Sequence, residues 1–168
     1  MTRILFISLF LIIVISVVSA ICLSDKPPSI LMPVKGASRS SYDQKSFGAP
    51  RQGHTHKGVD IFAKKGTDVL SATSGLVIFT GYLSLGGKAV TIISPDLKFL
   101  YYAHLDTIII SKLSWVSAGQ LIGKVGNTGN AKKTPFHLHF SISRAVPYKK
   151  YFDPVPLLNE YLDPKLYY

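Results

Sequence analysis

The sequence predicts an all-β domain, and three observations support this prediction. The chain has 168 residues, 47% of them hydrophobic and 17% charged, which is enough to build the core of one ordinary domain. It contains 13 glycines and 10 prolines, and it lacks the long Glu, Lys and Ala repeats of helical bundles and coiled coils. Short runs of Val, Ile, Tyr, Phe and Thr follow one another instead. A turn-rich β protein is therefore favoured, and a disordered tail is excluded.

Seven runs have the composition of β-strands and are separated by Gly, Pro, Asp or Asn. These runs are 58–63, 69–82, 89–94, 99–105, 107–111, 120–125 and 137–143. Pairs such as Gly86-Gly87 and Pro95-Asp96 supply the turns between them. The proline-bearing segment 152–158 permits at most a short helix. The expected order is thus a series of short strands followed by a closing segment.

The N-terminal segment has the order of a secretory signal. Arg3 is followed by residues 4–23, which carry no charge, and the small residues at 18–20 suit cleavage after residue 20. We predict a signal peptide over residues 1–20. The alternative is that residues 4–23 stay in the membrane as an anchor. Both interpretations predict a periplasmic or secreted domain, with membrane contact only if the segment is not cleaved.

The only cysteine, Cys22, excludes an internal disulfide. It also raises a lipoprotein alternative, although the bulky Ile21 stands before it, where lipoproteins usually have a small residue. Behind the signal we expect a linker at 21–33, one folded domain at 34–158 and a C-terminal tail at 159–168.

The chain is basic, with a formal net charge of +10 that becomes +9 when the signal and its single charged residue, Arg3, are removed. Such an excess predicts attraction to polyanions, whether nucleic acid, anionic lipid or an anionic cell-wall polymer. The lysines occur as scattered pairs, such as Lys64-Lys65 and Lys132-Lys133, and no recognised nucleic-acid motif accompanies them. A solvated face explains these pairs equally well. We therefore expect no nucleic-acid partner.

All five histidines lie in the β region, at His54, His56, His104, His137 and His139. In a strand, residues two apart point to one face and their Cα atoms are separated by about 6.5 to 7 Å. His137 and His139 can therefore converge on one centre. Such a pair taken alone is a weak signal, because histidines on a strand are also found without any function.

A second cluster contains His56 and Asp60, with Gly58 between them. Their side chains can point into one pocket if the chain bends at the glycine. Nitrogen and oxygen ligands, three in number with a fourth position left to water, are what a catalytic zinc site needs. The absence of a thiolate favours zinc over copper(I) or an iron–sulfur cluster, but it leaves other divalent metals open.

Four motifs resemble, in order and spacing, those of the LytM/lysostaphin-type zinc metallopeptidases. They are His56-Lys57-Gly58-Val59-Asp60-Ile61, Tyr102-Ala103-His104-Leu105, Gly119-Gln120-Leu121-Ile122-Gly123 and His137-Leu138-His139-Phe140. The similar region covers roughly residues 46–156. The resemblance implies a compact β-sandwich or barrel-sandwich domain, the duplicated hybrid motif. It also implies an endopeptidase that hydrolyses peptide bonds in bacterial peptidoglycan.

The resemblance also implies residue roles. In that family the His and Asp of the first motif and the second His of His-x-His bind one zinc ion, which corresponds to His56, Asp60 and His139 here. His104 and His137 match the catalytic histidines. The roles of general base and oxyanion donor stay open between these two.

This chain departs from the family pattern at few positions. His54 is an extra histidine, but the four-residue spacing to Asp60 favours His56 as the ligand, and we expect His54 in a loop. Ser141 stands where many relatives have an acidic residue. The alternative function is a non-catalytic module of the same fold that binds peptidoglycan or regulates other enzymes. We expect a monomer, and whether a protein activator is needed stays open.

Overall fold

The computed structural model describes residues 2–23, 29–51, 53–144 and 150–162. Helix α1, Thr2–Leu23, forms the N-terminus, and its side chains are described for residues 6–16, all of which are exposed. Within the described part of the chain, no helix is both long and apolar enough to cross a membrane. The signal peptide and its anchor alternative stay predictions.

The domain that follows is built from antiparallel strands. In chain order they are β1 Pro50–Arg51, β2 His54–Thr55, β3 Val59–Phe62, β4 Asp68–Leu70, β5 Gly75–Leu83, β6 Gly87–Ile93, β7 Lys98–Ile108, β8 Trp115–Val116, β9 Leu121–Val125, β10 His137–Arg144 and β11 Tyr151–Phe152. Strands β1 and β2 pair with each other. Among the described residues, the other nine strands form one sheet. Six of them follow one another in the order β11-β10-β7-β6-β5-β8. The remaining three join this row at the side: β3 pairs with β10, β9 pairs with β7, and β4 pairs with β9.

Few helical elements accompany the sheet. Two short 3₁₀ helices lie at Arg39–Ser41 and Gly129–Lys133, and α2 at Pro154–Tyr161 closes the described chain. The Asp153 carboxylate caps α2 by accepting a hydrogen bond from the Val155 N–H at 2.9 Å, and a proline stands at the first helical position, as is common in helices. The prediction of an all-β fold is confirmed, and so is the short helix at its end.

The side chains of β10 alternate between the two faces of the sheet. Leu138, Phe140 and Ile142 are fully buried in the hydrophobic core, as the period of two in a strand requires. The intervening residues, His137 and His139 among them, project from the opposite face. One strand thus carries part of the core on one side and polar side chains on the other.

Two predicted strand boundaries were wrong. The run 69–82 is divided between β4 and β5, because the chain bends at the small residues 71–74, where the Ser71 hydroxyl donates to the Thr73 carbonyl at 2.6 Å. The runs 99–105 and 107–111 were separated at Asp106, but β7 passes through this position. Its pairing with β10 extends to Ala103, its pairing with β9 begins at Leu105, and the register with β9 shifts between Leu105 and Thr107. The two-residue strands β1, β2, β8 and β11 are too short to leave a compositional signal.

The segment before Val34 packs more closely than a linker would. Ile30 and Met32 belong to the core cluster, and the Leu31 N–H donates to the Ala72 carbonyl at 2.8 Å. Residues 24–28 of the expected linker and 163–168 of the expected tail lie outside the described residues. The proposed domain boundaries stay predictions.

Candidate active site

Three strands and one turn bring the predicted site residues together. His56 precedes β3, Asp60 lies in β3, His104 lies in β7, and His137 and His139 lie in β10. His139 is directly opposite Asp60 on β3 and opposite Ala103 on β7. The pairing of β10 with both neighbours therefore determines where the four histidines and the carboxylate meet.

Gly58 allows the turn between His56 and Asp60 to lie against β10. A Cβ atom at this position would be 2.3 Å from the Phe140 carbonyl oxygen and 2.9 Å from the Ser141 Cβ atom. Any side chain here would push the turn away from the strand. Glycine is thus required for His56 to approach His139.

Three atoms converge at the centre of the site. The Nε2 atom of His56 lies 2.9 Å from Nδ1 of His139 and 3.1 Å from Oδ1 of Asp60. The distance from His139 Nδ1 to Asp60 Oδ1 is 2.9 Å. His56, Asp60 and His139 form the group of potential metal ligands among the described residues, and this is the set implied by the resemblance.

A backbone carbonyl determines which nitrogen of His56 faces this centre. Nδ1 of His56 lies 2.8 Å from the Ser46 carbonyl oxygen, which can only accept a hydrogen bond, so Nδ1 carries the proton. In the neutral ring, Nε2 then presents a lone pair to a carboxylate oxygen and to a second imidazole nitrogen. A single proton on Nδ1 of His139 would have to serve two acceptors, Nε2 of His56 and Oδ1 of Asp60, whereas a divalent cation can bind a lone pair of all three atoms. The donor set of two imidazoles and one carboxylate fits zinc.

The electrostatics keep Asp60 ionised. Burial alone would raise the pKa of Asp60, but the neighbouring His139 and His56 outweigh it and hold that pKa well below its usual range. Arg51 adds an ion pair, with Nη2 2.9 Å from the second carboxylate oxygen, Oδ2. The pKa of His139 is lowered, because burial of its ring outweighs the attraction of Asp60. Both groups are therefore held in the protonation states that metal ligands require.

His104 and His137 flank the cluster, and their rings are held by the same kind of hydrogen bond. Nδ1 of His104 donates to the Thr128 carbonyl at 2.9 Å, and Nδ1 of His137 donates to the Pro135 carbonyl at 2.8 Å. Their ring centroids are 5.0 Å apart, and Nε2 of His137 lies 3.9 Å from Oδ1 of Asp60. When neutral, each ring therefore has an unprotonated Nε2, free to accept a proton.

The backbone of His104 is in a conformation that non-glycine residues seldom adopt. Its φ is +63°, and its N–H donates to the Gly86 carbonyl at 2.7 Å. Burial, reinforced by the nearby charge of His137, lowers the pKa of His104 to about 4. The ring is consequently neutral at pH 7 and able to accept a proton. Backbone strain of this kind often occurs at functional sites.

The site opens into a cavity of about 960 Å³, whose lining includes the three converging residues and both flanking histidines. His54 also lines this cavity, but it lies in strand β2 rather than in a loop, and it is exposed and outside the converging group. The prediction that His54 lies in a loop was therefore wrong, because this residue belongs to a short strand.

Some contributors to the site were missed by sequence reasoning. Arg51 reaches Asp60 because β1 and β2 form a hairpin that places Arg51 opposite His54. An arginine shortly before the first motif is the signal that could have been followed. The carbonyl groups of Ser46, Thr128 and Pro135 leave no such signal, because every residue has a carbonyl.

Known proteins are similar to this chain over the region that contains the site. The model of peptidase family M23 matches residues 54–154. An L-Ala–D-Glu endopeptidase of Bacillus subtilis is 34% identical over 125 residues, which cover 70% of this chain and 37% of that protein. The murein hydrolase activator NlpD of Escherichia coli is 35% identical over 98 residues, or 58% of this chain and 24% of NlpD. The chain thus spans well under half the length of these relatives.

A solved structure resembles the fold. The catalytic domain of lysostaphin from Staphylococcus simulans superposes with a TM-score of 0.60 and 32% sequence identity, over 67% of this chain and 86% of that domain. The expected β fold of the LytM type is therefore confirmed.

Proposed function

The chain belongs to peptidase family M23, as its motifs indicated, and on this premise we propose that it is a zinc-dependent endopeptidase that hydrolyses peptide bonds in peptidoglycan. The observation that carries the proposal is the convergence of His56, Asp60 and His139 within hydrogen-bonding distance of one another, beside two histidines whose Nδ1 atoms each donate to a backbone carbonyl. A site for a cation and two groups for proton transfer are what amide hydrolysis needs.

In this proposal His56, Asp60 and His139 hold one zinc ion per chain. Zinc at this position supplies a Lewis acid for the scissile carbonyl and lowers the pKa of an attacking water to about 7. The Ser46 carbonyl keeps the Nε2 lone pair of His56 directed at the centre. Arg51 donates to Oδ2 of Asp60, which leaves Oδ1 free to bind the metal.

In this proposal His104 and His137 transfer the protons of the reaction. An unprotonated Nε2 accepts a proton from the attacking water as its oxygen bonds to the amide carbon. The same nitrogen, now an N–H, can donate to the oxyanion or to the leaving amine when the C–N bond breaks. The low pKa of His104 keeps it in the accepting form before the reaction begins. Both rings are oriented for either role by their Nδ1 hydrogen bonds.

Digestion of purified sacculi, with and without zinc, tests the proposal. We expect new free amines and carboxyls to appear with zinc, while the glycan strands keep their original length. The His137→Ala variant is the matched negative control, and His54→Ala is the matched positive control. Shortened glycan strands, or release that is independent of zinc, would contradict a zinc endopeptidase.

The similarity to NlpD favours one alternative, a non-catalytic module that binds peptidoglycan or activates another enzyme. Such a module would bind sacculi without cutting them and would stimulate a separate murein hydrolase. The residues present argue against it, because all five positions implied by the resemblance are filled by His or Asp.

We also propose that the domain acts outside the cytoplasm, in the periplasm or as a secreted protein. The charge-free segment at residues 4–23 and the net charge of +10, which suits an anionic wall, support this location. Peptidoglycan is the proposed partner and the monomer the proposed state. Fractionation of cells that produce the full chain, combined with N-terminal sequencing, would distinguish cleavage after residue 20 from anchoring.

A further inference from the structure

A second groove of about 490 Å³ adjoins the active-site cavity. The two spaces share four lining residues: Leu85, Gly86, Tyr101 and His139. From His139 the groove is lined further by Ser141, Ser143, Tyr151 and Lys57, and we call it the serine groove. A substrate in the cavity would therefore continue into the serine groove.

The floor of the serine groove includes a row of hydroxyl groups. Ser141 and Ser143 follow His139 at alternate positions of β10, so all three side chains lie on one face of the strand. Each serine is only 5% exposed, and within the described residues neither hydroxyl forms a side-chain hydrogen bond. Largely buried polar groups usually have a hydrogen-bond partner, and because both serines line the groove, a ligand there can supply it.

The charge of the serine groove is positive. Lys57 is exposed along the groove, and within the described chain it forms no ion pair. The tight contact of Gly58 with Ser141 brings the neighbouring Lys57 beside this hydroxyl row. Among the described lining residues there is no carboxylate. The groove thus offers an ammonium group and two hydroxyl donors, but no acidic group to balance them.

We propose that the serine groove binds a carboxylate of the peptide substrate close to the scissile bond. Lys57 Nζ pairs with this carboxylate, and the hydroxyls of Ser141 and Ser143 donate to it or to the adjoining peptide carbonyl. This inference rests on the proposed function and names its substrate class: acidic stem peptides rather than bridges made only of neutral residues. A charge-assisted contact of this kind favours the ionised ligand over its amide.

The experiment compares two synthetic peptides that differ at one group, a free carboxylate or its carboxamide, next to the bond that is cut. For the zinc-loaded protein we expect kcat/KM to be about fivefold higher for the carboxylate, because a partly exposed ion pair stabilises a complex by little more than this. The difference should appear mainly in KM, because the contact binds the substrate away from the reacting atoms. In Lys57→Met the preference should disappear, and in Lys57→Arg it should largely return. Ser141→Asp should reverse it, because a second negative charge would repel the substrate.

Lys112→Met is the matched control, since Lys112 is also exposed but lies outside the groove lining. Zinc content is measured for each variant, because Lys57 follows the proposed ligand His56. Equal kcat/KM for both peptides in the parent protein, or a preference that survives in Lys57→Met, would overturn the inference and leave the proposed function intact.

If neither peptide is cut, the proposed function fails, and the groove is then tested by binding alone. Titration calorimetry with the His104→Ala variant measures the affinity for both peptides without relying on hydrolysis. Tighter binding of the carboxylate that depends on Lys57 would support the groove even then. Equal affinities would overturn it.

Discussion

The guanidinium of Arg51 donates to Oδ2 of Asp60 at 2.9 Å, while Oδ1 of the same carboxylate faces His56 and His139 at 3.1 and 2.9 Å. The two oxygens are thus divided between an orienting cation and the proposed metal position. A carboxylate held in this way keeps its orientation when the site is empty.

Replacing Arg51 should therefore weaken metal binding without removing a ligand. We expect Arg51→Met to lower the affinity for zinc by about tenfold, which is the lower end of the loss caused by removing a partner of a metal ligand. Competition with a chromophoric chelator measures this affinity. Arg39→Met is the control, because Arg39 is exposed and donates to the Asn159 carbonyl instead. Unchanged affinity in Arg51→Met would show that Asp60 needs no such support.

The ligand assignment makes a stronger prediction. His139→Ala and Asp60→Ala should each lose most of the bound zinc, because either change leaves only two of the three converging atoms. The parent protein should bind one zinc per chain by elemental analysis. His54→Ala should retain its metal. Full zinc occupancy in both ligand variants, or a loss confined to His54→Ala, would reject the assignment.

The flanking histidines should separate binding from catalysis. His104→Ala and His137→Ala are expected to keep zinc but to lose about 10² or more in kcat, the usual effect of removing a proton-transfer group or an oxyanion donor. Single-turnover hydrolysis together with metal analysis checks both parts. A variant that loses zinc along with its activity would place that histidine among the ligands.

The spacing of His56 and Asp60 around Gly58 is local and predicted that these two side chains could meet. That His139, 83 residues after His56, joins them was implied by the resemblance of the motifs. The sequence could not predict that Asp106 lies inside a continuous strand, because β7 pairs with β9 on both sides of this residue and accommodates it as a shift of register between Leu105 and Thr107. The carbonyl of Thr128 behind His104 was equally hidden. That contact depends on a loop 24 residues away in the chain, and the backbone atoms that form it are common to all residues.

Attraction to the wall should depend on salt. With a net charge of +9 once Arg3 is removed with the signal, binding to anionic sacculi is driven in part by a long-range field that is screened over about 8 Å near physiological salt. Binding measured by sedimentation should weaken between low and moderately high salt. Cleavage of a short uncharged peptide should change much less, because it involves no distant charge. Equal salt sensitivity of both would argue against wall attraction.

The stability of the metal-free protein should depend on pH through His104. Its pKa is about 4 in the folded chain, against an ordinary value of 6.5, so the unfolded chain binds more protons between these values. The free energy of unfolding should therefore fall as the pH is lowered from about 6.5 towards about 4, and His139, whose pKa is also lowered, acts in the same direction. Asp60, whose pKa is also lowered, loses its contribution mainly below its ordinary value of 3.8, where the unfolded chain begins to bind the proton.

The variant His104→Asn isolates this contribution, since asparagine tolerates the positive φ at this position better than most residues. We expect urea unfolding at about pH 7 and about pH 4.5 to show a loss of stability on acidification that is smaller in the variant by about 2 kcal/mol. Any cost of the substitution itself is the same at both pH values and cancels in the difference. His54→Asn, at an exposed position, should keep the full loss of the parent protein. An identical loss in His104→Asn and the parent would mean that His104 is not held neutral by its surroundings, and its assignment as a ready proton acceptor would then fail.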